Sequence, residues 1–179
     1  MIADRLHFTG REDADKLLVE DPFALLVGFA LDQQVPVQKA FMGPYVLRER
    51  LGSLVPAEVA AADLDPIFRE RPAIHRFPGA MATRVHALAV HVVEQYDSDA
   101  ARVWTTAADS QQLRDNIAGL PGYGTMKIKA LGSVLFKRFG VDLAEPLIPW
   151  HPTLGDVDSP QALKDYQASK KVNKALWER

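Results

Sequence analysis

Between Met81 and Val93 apolar side chains return every three or four residues, at Met81, Val85, Leu88, Ala89, Val92 and Val93. A strand would place alternate residues on one face, whereas this spacing lines one side of a helix. The stripe predicts a helix from Gly79 to Tyr96, and the same period recurs along most of the chain with no convincing run of period two. Phe23, Leu26, Val27, Ala30 and Leu31 repeat it after Asp21-Pro22, a capping side chain followed by a first-turn proline. Pro36 restarts the chain, Val37 to Leu51 carries the next stripe, and Gly52 stops it. Short helices are expected after Pro56 and Asp63. Asp109 and Gln112 have the spacing of a capping box for a helix to Ala118, and a further helix runs from Thr125 to Phe139, closing at Gly140. Residues 141–158 hold Pro146, Pro149 and Pro152 and are expected to be irregular, and Ser159-Pro160 opens a last, charged helix. The fold class read from this pattern is all-α, one domain over residues 1–179.

Composition narrows the chemistry. Hydrophobic residues make up 47% of the chain, enough for a sizeable core. There are no cysteines, so disulfides and iron–sulfur clusters held by thiolates are excluded. The apolar run Phe23 to Leu31 is far short of the roughly 20 residues a membrane span needs. Met1-Ile2-Ala3-Asp4-Arg5 does not open as a secretory signal does, and a cytoplasmic protein is expected. The formal net charge of -2 argues against a general attraction to polyanions, so contact with nucleic acid must come from local clusters. Two exist: Lys127, Lys129, Lys137 and Arg138, and then Lys164, Lys170, Lys171 and Lys174, while acidic residues crowd the first 21 positions. The five histidines show no metal-ligand spacing, and no phosphate-binding loop or nucleophile elbow is present.

The strongest local signal is Leu120-Pro121-Gly122-Tyr123-Gly124 between two helical patterns. Glycines admit backbone conformations closed to other residues, so amides at Gly122, Gly124 and Thr125 can converge at the positive end of the following helix. A phosphate oxygen fits such a site, with Lys127 and Lys129 adding charge. A tight helix-to-helix turn without ligand has the same composition, so the turn alone leaves both readings open. Trp104 is expected in the core, Phe77 likewise, and Trp177 as a surface anchor.

The helix, Leu-Pro-Gly-x-Gly turn and helix over about residues 110–139 resemble the helix-hairpin-helix superfamily of base-excision DNA glycosylases (the HhH-GPD group). Two further elements match in order and spacing: Phe23 to Leu31 followed by Asp32-Gln33-Gln34, and His75-Arg76-Phe77-Pro78-Gly79 leading into the long helix. The resemblance covers about residues 20–140 and implies two helical lobes around a cleft, approximately 35–130 and 1–34 plus 131–179. It implies a monomer acting on double-stranded DNA in the nucleoid, away from membranes. Gly122, Gly124, Thr125 and Lys127 would hold phosphate, with a monovalent cation at the hairpin. Gln34, beside Gln33, would fill the gap left by an extruded base, and His75 and Arg76 would meet DNA from the second loop.

The chain departs from the family at its acid. The family's Val-Asp-x-His reads Ile148-Pro149-Trp150-His151 here, with proline at the aspartate. Asp156 is the expected substitute, ahead of Asp142 and Glu145, and Trp150 is expected at the base pocket. Bifunctional members carry a lysine where Met126 stands; Lys127 is about 100° further round the helix, so no lyase activity is expected. The resemblance thus implies a monofunctional DNA glycosylase, with a non-catalytic DNA-binding or lesion-sensing protein of the same fold as the alternative and a protein-interaction module as a third reading.

Overall fold

The computed structural model describes residues 2–179. Ten α-helices follow one another: α1 (Glu12–Glu20), α2 (Pro22–Leu31), α3 (Val37–Leu51), α4 (Pro56–Ala61), α5 (Leu64–Arg69), α6 (Pro78–Tyr96), α7 (Arg102–Thr105), α8 (Ser110–Ala118), α9 (Thr125–Phe139) and α10 (Pro160–Trp177). No strand occurs among the described residues, so the chain is all-α.

Local chemistry sets the boundaries. The Asp21 carboxylate accepts from the Phe23 and Ala24 amides at 2.9 and 3.4 Å and opens α2. Asp109 accepts from the Gln112 amide at 2.7 Å, while Gln112 Oε1 accepts from the Ala108 amide at 2.6 Å, a capping box displaced by one residue. Ser159 Oγ accepts from the Ala162 amide at 3.0 Å and starts α10. Gly52 and Gly140 close α3 and α9 in the left-handed conformation.

Two segments differ from expectation. The acidic N-terminal run is a helix, α1, because Ala14, Leu17 and Leu18 share one buried face. Its Asp15 is buried as well, its carboxylate accepting from the Phe8 and Thr9 amides and the Thr9 hydroxyl. Residues 141–158 are more ordered than their prolines suggest. Two 3₁₀ turns, Asp142–Leu147 and Leu154–Asp156, lie along α9. Gly132 and Gly155 permit that approach: a Cβ at Gly132 would lie 2.5 Å from the Leu147 side chain, and one at Gly155 would lie 2.7 Å from the Ser133 backbone.

Helices α1, α2 and α3 pack together, α4 and α5 cover α6, and α6 touches α2. Helices α8 and α9 pack with each other and with the first 3₁₀ turn, and α10 rests on the second. Helix α2, which the two-lobe division grouped with the C-terminal helices, therefore packs on α1, α3 and α6. One continuous apolar core links all of these from Leu6 to Leu163. At its centre Phe41 meets Phe8 and Phe29 edge-on, at ring separations of 4.8 and 5.0 Å, and lies flat against the bare backbone of Gly28. Trp104 is buried as expected and packs against Phe139. Trp177, expected at the surface, is buried: it stacks on His151 at 5.2 Å and on Tyr166 at 6.2 Å. No helix is long and apolar enough to cross a membrane.

Candidate nucleic-acid interface and cleft

The turn between α8 and α9 is anchored from below and open above. Leu120 and Tyr123 are buried, and the Tyr123 hydroxyl donates to the Leu26 carbonyl at 2.6 Å, tying the hairpin to α2. Burial pushes the Tyr123 phenol far up, so it stays a donor. Gly122, Gly124 and Thr125 are exposed between these anchors. Gly122 sits at φ 82°, where a side chain is strained, and is the residue that reverses the chain. Gly124 leads α9 without any side-chain cap. Among the described residues, nothing accepts the amides of Gly122, Gly124, Thr125, Met126 or Lys127. These unaccepted amides lie at or beside the positive end of a 15-residue helix.

The loop after α2 faces this turn. Gln33 and Gln34 are exposed, and Gln34 stands at φ 57°, a left-handed conformation that a long side chain adopts only at a cost of about 1–3 kcal/mol. Three groups brace the loop. Arg84 on α6 donates to Gln33 Oε1 at 2.5 Å and to the Ala30 carbonyl at 3.5 Å. The same side chain packs under the hairpin, where a Cβ on Gly122 would lie 2.8 Å from its Cδ and Nε. His75 supplies the second brace, and Lys127 the third. Sequence reasoning did not single out Arg84, since an arginine on an amphipathic helix ordinarily points to water.

Several expected roles change. His75 is 1% exposed, so it does not reach DNA. Its Nδ1 accepts from the Phe77 amide at 3.0 Å, which leaves Nε2 as the donor to the Leu31 carbonyl at 3.0 Å. Desolvation, ahead of the other effects, lowers its pKa and keeps the ring neutral. Phe77, expected in the core, is instead exposed, with the Arg76 guanidinium 5.2 Å from its ring. Arg76 is exposed as expected. Lys127 does not extend to solvent; its ammonium donates to the Ala30 and Gly122 carbonyls at 3.2 and 3.3 Å. Burial first, then the charge of Arg84, lowers its pKa to about 8. The hairpin carbonyl thus faces a tethered ammonium where a free monovalent cation was expected.

Asp156 is committed elsewhere. One carboxylate oxygen accepts from the Thr153 amide at 2.8 Å, closing the cap of the second 3₁₀ turn, and the other pairs with Lys137. Asp142 and Glu145 are exposed in the first 3₁₀ turn. Trp150 is 68% exposed and lies outside the cleft, because its neighbour His151 turns inward onto Trp177.

A groove of about 610 Å³ runs between the two loops, lined by Gln33, Gln34, Gly122, Gly124, Lys170 and Lys174 among others. It shares Asp32, Met126, Lys127 and Lys170 with a more enclosed cavity of about 100 Å³. Phe29, His151, Tyr166 and Trp177 form much of that cavity's wall. The arrangement offers backbone donors and two lysines to an anion at the rim, and aromatic surfaces to a planar group inside. No family model, curated protein or solved structure matches the chain.

Proposed function

We propose that this protein is a DNA glycosylase that grips duplex DNA through the α8–α9 hairpin, extrudes a damaged or mismatched base and hydrolyses its N-glycosidic bond without cutting the strand. The observation that carries the reading is the set of unaccepted amides at the exposed residues Gly122, Gly124 and Thr125, on the same groove as the strained Gln34. The amides suit a phosphate oxygen and so position the duplex without reading its sequence. Gln34, exposed at the groove with a left-handed backbone, suits a wedge that offsets the few kcal/mol of unstacking. Exposed Arg76 and Phe77 suit the opposite strand. Lys127 is held by two carbonyls, which favours a hydrolytic reaction over one through a lysine–sugar adduct.

A second reading is a lesion sensor of the same architecture that binds without excising. Pro149 at the family's acid position and the commitment of Asp156 to a cap and an ion pair favour it. Incubation with labelled duplexes carrying uracil, deaminated purines, alkylated bases or oxidised bases, followed by alkali, separates the two. Release from at least one duplex is expected. Salt-sensitive binding with no release from any leaves sensing, and absence of binding to every duplex overturns both readings.

A further inference from the structure

Asp32 ends α2 at the junction of the groove and the enclosed cavity, and lines both. Its residue is half-buried, yet its carboxylate accepts no hydrogen bond and joins no ion pair among the described residues. Lys127 and Lys170 lie near enough to favour its charged form, yet neither bonds to it, so the carboxylate is left available where the groove and the cavity meet. The cavity is too small for a nucleotide by itself, but it opens at Asp32 into the groove of about 610 Å³, and its Tyr166 and Trp177 walls suit one face of a planar group entering from there.

We propose that Asp32 is the carboxylate that faces the sugar of an extruded nucleotide and drives its hydrolysis, an assignment that rests on the glycosylase reading above. The bond from C1′ to the base nitrogen breaks, and its electron pair leaves with the base. Positive charge develops on the sugar, where the Asp32 carboxylate stabilises it. A water oxygen then bonds to C1′ and gives one proton to Asp32, which passes it to solvent, while the departing base nitrogen takes one proton from solvent. Water supplies the hydroxyl on C1′ and, through solvent, the proton on the base nitrogen, and no other reactant is required. Lys127 from α9 and Lys170 from α10 draw the Asp32 pKa down, but desolvation is larger and leaves it raised. Tyr166, Lys171 and Lys174 of α10 and His151 complete the titratable groups that line pockets with it, with Glu178 at the groove rim.

The full chain, Asp32→Asn and Asp156→Asn are compared on the same base panel, and on binding to a duplex with a tetrahydrofuran abasic analogue. Asp32→Asn is expected to lose about a hundredfold or more in release rate. It should bind the abasic duplex as well as the parent or better, because one negative charge beside phosphate is gone. Asp156→Asn should keep its rate. The parent rate should rise with pH through an apparent pKa above the ordinary carboxylate value of 3.8, and this limb should vanish in Asp32→Asn. Undiminished release by Asp32→Asn overturns the assignment and leaves the glycosylase reading intact. No release by the parent removes both. Loss of release together with loss of abasic binding marks a folding defect; Asp32→Glu then decides, since a carboxylate acting on the sugar should restore measurable release and a purely structural one should not.

Discussion

Gly122 and Gly124 stand two residues apart and answer to different constraints. At Gly122 the backbone is left-handed and a methyl would press on Arg84. Gly122→Ala should therefore cost about 1–2 kcal/mol and lower the melting midpoint by about 3–8 °C in calorimetry. At Gly124 the conformation is ordinary and the space is open. Gly124→Ala should leave the midpoint within about 2 °C yet weaken duplex binding, since the added methyl stands in the open space where the proposed phosphate would sit. Equal and small effects on binding from both changes would remove the hairpin from the interface. The glycines were legible in the sequence because a turn leaves a compositional mark. Asp32 was visible only as the residue that precedes Gln33 and Gln34 at the end of an apolar helix. Its burial was not legible, because the walls around it come from α9, α10 and the segment at His151, all far along the chain from it. His75 and Phe77 exchanged their expected places for a similar reason: which neighbour turns inward depends on the Leu31 carbonyl, at another helix's end.

At the scale of elements, α10 contributes more than its charge pattern suggested. Trp177 fastens it through His151, Leu163 enters the core, and Lys170 and Lys174 line the groove. Each lysine that neutralises a phosphate releases counterions, so binding weakens with salt at a slope of about 0.9 per contact. Replacing Lys170 and Lys174 together by glutamine should reduce the magnitude of that slope by about 2, measured by fluorescence anisotropy across a salt series. A slope equal to the parent's would place the DNA path away from α10. The longer helices themselves were largely readable, since each carries its own apolar stripe and α2, α8 and α10 a capping side chain as well. The 3₁₀ turns at Asp142–Leu147 and Leu154–Asp156 were not, because they owe their form to close contact with α9 rather than to any period of their own.

The molecule as a whole should unfold in one step, because a single core runs through both groups of helices. Its stability should also fall in mild acid. Burial holds His75 below the ordinary 6.5, so between the two values the unfolded chain binds a proton that the folded chain refuses. Its contribution is complete above about 6.5 and is lost as pH drops through the folded value. Urea midpoints by circular dichroism and tryptophan fluorescence should coincide at each pH and decline together below 6.5. Separate midpoints for the two probes would show that the helix groups melt independently. Arg84, finally, reaches the glutamine loop with its guanidinium and supports the glycine turn with its stem. One side chain thus ties two loops together, so on the glycosylase reading proposed above, variation that retunes one loop should disturb the other, and new preferences should arise first in the walls of the cavity.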